Sequence, residues 1–506
     1  ALTRGGDRLG RSRRIRRTTM STETLILLGI GIYVVLMLGI GFYASRGAHS
    51  LTDFIVAGRN IPLWICSASI FATWFGTGIM MGAATSGYDR DMLLMVGEPF
   101  GSALALFLSG LFFARLYRRS RRLTWIEFFE ARFGGCAVVF GAIADMAASI
   151  IWLGGILFTF GVLLEALTGL PMAIGVFGGL AVIVIYTMAG GMWAVALTDF
   201  VQTLVLVFGL FVLLYVVLDD VGGWTAITAQ LPEHSMRLIP LVHTPGNWID
   251  WIHVWMTLGV AAIASTPIIQ RALSAKSEAV AQNSFYVATV LYLGVGVIPI
   301  ALGLIASITM PNLEDPNAVL TVLAVEHLHP ILVVVFVGAI LSSIMSTSDS
   351  VLLGVASVVS TNLLPLVKKN ADAALRLRVA RLTIPVAGLL ATYVAFRASR
   401  VVEVLSDAAA PLRAGIIVPC SRCVWGANAP RSGALAGIAG GLRGWSIAGL
   451  LDSAVPPDMI GFVVSLVSMV TVTLMTQKVD PPRPLTDCDG NTVALRQRLG
   501  TRLRDA

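Results

Sequence analysis

Hydroxyl side chains and one carboxylate gather in a stretch that is otherwise apolar. Residues 342–350 contain six hydroxyls and Asp349. Helical spacing would place Ser342 and Ser346 on one face, with Ser343 beside them. Oxygen ligands of this kind suit a hard cation, whereas the opposing interpretation has each serine bonding back to its own helix. The pattern favours a cation site.

A second stretch, residues 68–82, mixes glycines with hydroxyls inside an apolar run. Gly76, Gly78 and Gly82 are poor choices for an uninterrupted helix. They suit a helix that is unwound in the middle of a membrane, where freed carbonyl groups can coordinate a cation. Close helix packing through small residues is the alternative, and the segment alone leaves both open.

Two carboxylates fall inside apolar runs. The Gly190-Gly191 pair predicts a tight turn, and Asp199 lies between one and two helical turns into the span that follows. An unpartnered carboxylate at the bilayer centre costs ~2.5–3.5 kcal/mol, so a functional role is the first expectation. An interfacial position near the helix start, favoured by the helix dipole, is the alternative. The second acid, Glu98 beside Pro99, would meet a helix end or line the pathway.

The composition indicates that these residues act inside a membrane. Only 13% of the residues are charged and 56% are hydrophobic, and the mean hydropathy is +0.82, whereas a soluble domain carries about 25% charged residues. A soluble enzyme and a nucleic-acid-binding protein are therefore excluded. Five cysteines give no disulfide framework. The sequence contains no nucleophile–base pair or metal cluster that would indicate an enzyme, and Cys420 and Cys423 lack a second ligand pair.

Long apolar runs recur along the whole chain, and a membrane span needs about 20 such residues. We therefore predict an all-α polytopic membrane protein with about thirteen transmembrane helices, at 24–43, 61–87, 92–116, 135–168, 171–189, 194–218, 250–269, 284–309, 330–364, 379–396, 401–423, 433–451 and 458–475. Residues 20–476 would form one transmembrane domain, and 477–506 a tail. Residues 1–19, with seven arginines and one acid, are interpreted as a basic extension that is not part of the working protein.

The distribution of charge predicts the orientation. Basic residues concentrate at 115–133, at 365–381 and in the tail, whereas 310–329 has acids and no Lys or Arg. With thirteen spans the three basic segments share one side, which the positive-inside rule makes cytoplasmic. The N-terminus would then lie outside and the C-terminus inside a plasma or inner membrane.

Together these stretches resemble the sodium:solute symporter family from about Leu25 to Leu474. The Gly-Gly pair followed by Thr198, Asp199 and Gln202 is a marker of that family, as is the serine-rich run. The resemblance implies a LeuT-like fold with a five-plus-five inverted repeat, here about 61–218 and 250–423, and ligands held at mid-membrane.

The resemblance also implies site residues, carried over one by one. The main sodium site would use the backbone carbonyls of Ala72, Phe75 and Ala339 and the hydroxyls of Ser342 and Ser343.

A second cation site, present in some family members, would use Asp199 and Ser346. Met345 stands where such members often have a hydroxyl, and a thioether is a weak ligand for a hard cation. The expectation is one sodium per solute, with a water or a proton as the partner of Asp199.

Within the family, the choline-transporter branch is the most similar. An aromatic cage suits a quaternary amine, and Trp74 and Trp152 match two of its members, although each is equally consistent with packing. Ser265 stands where that branch has another tryptophan, and His253 where it has an aspartate. The predicted solute-binding residues are therefore those two tryptophans, Ser265 and Gly78. An amine, an amino acid and a short carboxylate remain open as solutes.

The predicted function is sodium-coupled import of a small organic solute by alternating access, with sodium as the coupling ion and no cofactor. The expected partners are the solute, sodium and the lipid bilayer. A proton-coupled transporter using Asp199 or Glu98 is one alternative. A transporter-like membrane sensor is the other, although a tail of about 30 residues is too short for a kinase.

Overall fold

A computed structural model describes residues 22–260, 264–313, 315–397, 410–425, 430–451 and 453–493. These residues are helical apart from their connections and two isolated β-bridges, which confirms the all-α prediction. The predicted basic extension, 1–19, lies outside the described residues, as do the first part of the predicted span 401–423 and the end of the tail.

The helices up to the centre of the chain are α1 (Thr22–Ser45), α2 (Leu51–Val56), α3 (Leu63–Trp74), α4 (Ala84–Asp89), α5 (Met92–Met95), α6 (Ser102–Phe112), α7 (Ala114–Ser120), α8 (Ile126–Phe133), α9 (Gly135–Thr168), α10 (Met172–Asp220), α11 (Trp224–Thr228) and α12 (Pro245–Gly259). Those that follow are α13 (Thr266–Ser274), α14 (Glu278–Thr309), α15 (Val319–His327), α16 (Pro330–Val358), α17 (Leu364–Val367), α18 (Ala373–Arg397), α19 (Ile417–Trp425), α20 (Arg431–Leu450) and α21 (Pro457–Thr476). Four π-helical segments, Gly78–Ala83, Val96–Gly101, Val359–Leu363 and Leu412–Ile416, adjoin them.

Seven helices of the described chain are long and apolar enough to cross a membrane, and two bent pairs raise the number to as many as nine. Each of the thirteen predicted runs coincides at least in part with a helix. The lower number arises because two predicted spans fall within α10, because the run 250–269 is divided between α12 and α13, and because the first part of the run 401–423 lies outside the described residues. The helix α20, interrupted by Arg443 and rich in glycine, is less apolar than its neighbours.

The predicted break in the second span is present. Helix α3 ends at Trp74, and the helix resumes at Gly78 with a bend of 61°. The N–H of Gly76 donates to the carbonyl of Trp74 at 2.9 Å, rather than to that of Ala72 four residues earlier. Small-residue packing occurs at the same place, because a Cβ on Gly76 would lie 2.8 Å from Oγ1 of Thr347.

The predicted Gly-Gly turn is also confirmed. The long element α10 consists of two helical stretches joined at Gly191, whose backbone has φ 55° and ψ −140°. A Cβ there would lie 2.3 Å from the carbonyl oxygen of Phe54. The turn therefore requires glycine both for its backbone conformation and for the close approach of α2.

Helix α16 packs against α10, and α10 also contacts α1 and α3. Another contact fixes the start of α3: the N–H of Ile61 donates to the carbonyl of Ser274 at 3.2 Å, and that of Lys276 to the carbonyl of Ile61 at 2.9 Å. The broken span and the end of α13 are thereby held together beside the serine-rich helix.

The described part of the tail packs against the basic connection between α7 and α8. The N–H of Cys488 donates to the carbonyl of Ser120 at 3.1 Å, and Arg121 forms an ion pair with Asp489 at 2.7 Å. Leu485, in the same part of the tail, is buried. Two of the segments that the sequence assigns to one side of the membrane therefore meet on one face of the molecule.

Candidate functional site

The break after α3 leaves backbone carbonyls without their helical partners. Because Gly76 donates to Trp74, the carbonyl of Ala72 does not receive the bond that a continuous helix would give it. Phe75 has φ −79° and ψ 60°, which is outside the helical region and turns the next peptide away from the axis. Ala72 and Phe75 are both buried. Their carbonyl groups are suited to hold a cation at this level.

The serine-rich run lies on α16, and every residue from 339 to 358 is buried. The hydroxyl of Thr347 lies 3.1 Å from the carbonyl of Thr73 and 3.2 Å from that of Ser343. Since Thr347 is one turn from Ser343, this face of α16 lies against the broken span. Ala339 is one turn earlier still and is fully buried.

The individual hydroxyls differ in their partners. Ser342 donates to the carbonyl of Gly338 at 2.7 Å and lies 3.0 Å from the hydroxyl of Tyr33, and Ser348 donates to the carbonyl of Ile344 at 2.8 Å. Both serines bond back to their own helix, and the hydroxyl oxygen of Ser342 can still accept a further ligand. The hydroxyl of Ser343 is buried and has no hydrogen-bond partner among the described residues. A buried polar group without a partner is costly, which a bound cation would relieve.

Asp199 is completely buried inside the protein. Its Oδ1 accepts a bond from Ser346 at 2.5 Å, and its Oδ2 accepts bonds from Ser69 and, at 3.2 Å, from Nη2 of Arg271. The expectation that a water or a proton would be its partner is wrong, because the guanidinium of Arg271 forms a buried ion pair with it. Arg271 was not predicted because it lies just beyond an apolar run, in an apparently polar connection.

A further carboxylate lies close by. Asp349 is fully buried and accepts a hydrogen bond from the hydroxyl of Tyr186 at 2.6 Å. Ser350, its neighbour in sequence, lies 3.0 Å from Oδ1 of Asp349 and also accepts a bond from Arg271. Two acids and one guanidinium thus share a single buried network.

The predicted solute residues are brought together in part. The rings of Trp74 and Trp152 meet edge to face, with centroids 6.2 Å apart, and both side chains are only half-buried. A Cβ on Gly78 would lie 3.6 Å from Oε1 of Glu98. Gly78 is exposed.

Glu98 and Tyr292 were not among the predicted solute residues, yet they complete this group. The hydroxyl of Tyr292 lies 2.8 Å from Oε2 of Glu98 and 3.3 Å from the carbonyl of Trp74. The backbone of Glu98 is non-helical, with φ −118° and ψ 119°, inside the π-helical segment. The sequence had singled out Glu98, an acid beside a proline in an apolar run, for a helix end or the pathway, whereas no sequence signal indicated Tyr292.

Ser265 immediately precedes α13. Its hydroxyl has no hydrogen-bond partner among the described residues. The next residue, Thr266, donates to Asp145 at 2.7 Å and accepts from the indole of Trp125 at 2.5 Å. No hydrogen bond or ring contact among the described residues joins Ser265 to the tryptophan pair.

Two remaining features of the sequence have structural partners. His253 lies 2.9 Å from Asp458, which also accepts a bond from Arg413 at 2.7 Å. Cys420 and Cys423 are buried thiols. The described residues contain no group of three or more His, Cys, Asp or Glu side chains that could hold a metal ion.

Comparison with known proteins gives consistent matches. The profile of the sodium:solute symporter family matches residues 54–441. High-affinity choline transporter 1 of Drosophila melanogaster is 27% identical over 386 residues, which is 73% of this chain and 62% of that protein. The Homo sapiens protein of the same name is 27% identical over 394 residues, 73% of this chain and 67% of the relative. The chain thus spans about two thirds of the length of these relatives.

Among solved structures, a Na+-coupled sialic acid symporter superposes with a TM-score of 0.79 at 20% sequence identity. The match covers 91% of this chain and 99% of that one. At this level of identity the likeness establishes the fold, and it confirms the expected LeuT-like architecture. The family profile covers well over half of the chain. This protein belongs to the sodium:solute symporter family.

Proposed function

We propose that the protein is a sodium-coupled symporter that moves a small organic solute across a cell membrane. The observation that carries the proposal is the buried hydroxyl of Ser343, which has no hydrogen-bond partner in the described chain and lies on a helix that contacts the broken span. The cation would be held by this hydroxyl, that of Ser342 and the carbonyls of Ala72, Phe75 and Ala339. These are all neutral oxygens, the ligands that suit a hard monovalent cation.

The break also supplies a physical reason for coupling. Trp74 lies between Ala72 and Phe75, so a cation held by those two carbonyls would order the segment that carries the tryptophan. Each ligand would then increase the affinity for the other by the same factor. A membrane potential of ~100 mV contributes ~2.3 kcal/mol per charge, which supports roughly fifty-fold accumulation for each sodium ion.

For the solute we propose an organic amine. The edge-to-face pair of Trp74 and Trp152 offers aromatic surface to a cation. The carboxylate of Glu98, near Gly78 on the resumed helix, would supply the opposite charge. The choline transporters among the relatives agree with this class. The hydrogen bond from Tyr292 to Glu98 would break or tilt when the amine enters.

Proton coupling is the second candidate, and Glu98 is the residue that favours it. Asp199 has an arginine as its partner, whereas in the described chain Glu98 is hydrogen-bonded by a neutral phenol. A carboxylate in that setting can exchange a proton with the pathway. If transport is coupled to protons, Glu98 rather than Asp199 would bind the coupling proton.

Uptake by proteoliposomes separates these candidates. The purified protein would be supplied with labelled choline, an amino acid and a monocarboxylate, under a sodium gradient, a proton gradient or neither. We expect accumulation of the amine that requires sodium and persists when the proton gradient is abolished. Uptake driven by the proton gradient in the absence of sodium would reject sodium coupling. Accumulation of only the monocarboxylate would reject the amine.

A further inference from the structure

An open cleft of about 670 Å³ lies at the ends of three helices that are long and apolar enough to cross a membrane. Helix α1 ends at its edge, the first stretch of α10 ends there just before the turn at Gly191, and α18 begins there. The residues that line the cleft include Phe42, Ser45, His49, Ile185, Leu377 and Arg381. None of the lining residues belongs to the candidate cation or solute site, so the cleft has a separate role.

The polar wall of the cleft carries a guanidinium without an acidic partner. Nη2 of Arg381 donates to the carbonyl of Ala48 at 3.2 Å, and its Cζ lies 5.4 Å from the centre of the Phe54 ring. In the described chain its Nε has no hydrogen-bond partner, and no carboxylate forms a hydrogen bond with the side chain. Donor groups of Arg381 are therefore left for a ligand in the cleft.

The surroundings of the cleft are basic. Arg46 and His49 follow α1 and are exposed, as is Arg378, which lies one turn before Arg381 on α18. The acids closest in the sequence are engaged in helix caps: Asp53 bonds to Ser50 at the start of α2, and Asp372 accepts an N–H in the first turn of α18. The charge of the cleft therefore favours an anion.

The apolar wall is continuous with the outer surface of the helices. Phe42 and Ile185 line the cleft and are both exposed. On α18, Leu382 and Val386 are exposed directly after Arg381 and one turn later. Exposed apolar side chains on membrane-crossing helices contact lipid chains. Arg381 therefore lies where the apolar surface meets the basic connection, the level at which basic side chains reach lipid headgroups.

We propose that this cleft binds an anionic phospholipid of the cytoplasmic leaflet, with its phosphate on Arg381 and an acyl chain against Phe42 and Ile185. A guanidinium binds two phosphate oxygens through parallel N–H bonds, and basic pockets between transmembrane helices suit anionic headgroups. Free phosphate has the same charge but no chain for the apolar wall, so we assign the cleft to the lipid. The bound lipid joins the ends of α1, α10 and α18.

Native mass spectrometry of the purified protein in detergent measures this binding. The probes are phosphatidylglycerol, which is anionic, and phosphatidylcholine with the same chains, which is zwitterionic. We expect the wild type to retain phosphatidylglycerol in preference to phosphatidylcholine. Arg381→Gln should lower the affinity for phosphatidylglycerol roughly five-fold, the contribution of one basic residue near an anionic surface. Arg378→Gln removes an exposed arginine that does not line the cleft and should leave the affinity nearly unchanged.

Ser45→Asp is a second variant, which leaves the contacts of Arg381 in place. The Ser45 hydroxyl bonds back to the carbonyl of Phe42, and an acid there would put a negative charge into the cleft. Its affinity for phosphatidylglycerol should also fall. An unchanged affinity in Ser45→Asp would overturn the proposal even if Arg381→Gln does not fold.

Inorganic phosphate, added as a competitor, distinguishes the two sources of the anion. An excess should not displace phosphatidylglycerol from the wild type. Displacement would assign the cleft to a free anion and overturn the lipid. Equal retention of the two lipids, or the same affinity in Arg381→Gln and Arg378→Gln, would overturn it as well. The proposed sodium coupling is independent of each of these outcomes.

Discussion

Ser343 and Ser348 are buried hydroxyls on the same helix, and they differ in their partners. Ser343 has none, whereas Ser348 donates to the carbonyl of Ile344. We expect Ser343→Ala to lower the apparent affinity for sodium about ten-fold, which is ~1.4 kcal/mol, because it removes a cation ligand. Ser348→Ala should leave it unchanged. The measurement is the sodium dependence of uptake at saturating solute. If the two variants have the same apparent affinity for sodium, Ser343 is not a ligand of the cation site.

Trp74 and Trp64 offer a similar comparison within α3. Trp74 is half-buried against Trp152, whereas Trp64 is 68% exposed on the outside of the bundle. Loss of a cation–π contact costs about 0.5–2 kcal/mol. Trp74→Ala should therefore raise the KM for an amine roughly two- to thirty-fold, and Trp74→Phe should do so less. Trp64→Ala is the control and should keep the wild-type KM. A normal KM in Trp74→Ala would reduce the residue to a packing role.

At the residue scale, the sequence was sufficient to locate the functional side chains but not to identify the residues that they contact. The buried acid, the serine-rich run and the unwound segment could all be predicted, because each is a local departure from an apolar background. Arg271 could not be predicted as the partner of Asp199. The two residues are separated by 72 positions, and only the packing of α13 against α3 and α16 brings them together. Residue type and spacing carry no information about such a contact.

At the scale of elements, the two interruptions of helices are the features on which the site depends. Both could be predicted because glycine is rare inside stable helices. Their geometry differs, however. The break after Trp74 bends a span by 61° and frees carbonyls, whereas Gly191 joins two stretches of α10 at a turn with a positive φ. The break after Trp74 predicts coupling between the binding of ion and solute. The turn at Gly191 predicts a strict requirement for glycine.

Gly191→Ala tests that requirement. A residue forced into such a backbone region costs about 1–3 kcal/mol, and the added Cβ would also meet the Phe54 carbonyl at 2.3 Å. We expect a lower midpoint of thermal unfolding in detergent. Gly178→Ala, in the same element but with open space around it, should leave the midpoint unchanged or raise it slightly. Equal midpoints for the two variants would show that the turn tolerates a side chain.

At the scale of the whole molecule, the packing of the tail supports the orientation in the membrane that the distribution of charge predicts. The described tail contacts the basic connection through Arg121 and Ser120, so the two segments must lie on the same side of any membrane. The positive-inside rule assigns that side to the cytoplasm. The connection around 310–318, by contrast, belongs to the other side in the predicted topology. The repeat boundaries, 61–218 and 250–423, stay a prediction.

Cysteine labelling can test this orientation directly. Cys488 is exposed, whereas Cys66, Cys420 and Cys423 are buried, and Asn312 is exposed in the opposite connection. A membrane-impermeant maleimide should label Cys488 in inside-out vesicles and not in intact cells. In the Cys488→Ser background, Asn312→Cys should give the reverse pattern.

The pH dependence of labelling identifies the reacting thiol. Partial burial, together with the nearby charge of Asp489, raises the pKa of the Cys488 thiol. Because the thiolate is the reactive form, labelling of Cys488 in inside-out vesicles should be slow at neutral pH and accelerate as the pH increases. The Cys488→Ser protein shows how much signal comes from the other thiols. Labelling of Cys488 in intact cells, lost in that variant, would invert the predicted topology and place the tail and the basic connection outside.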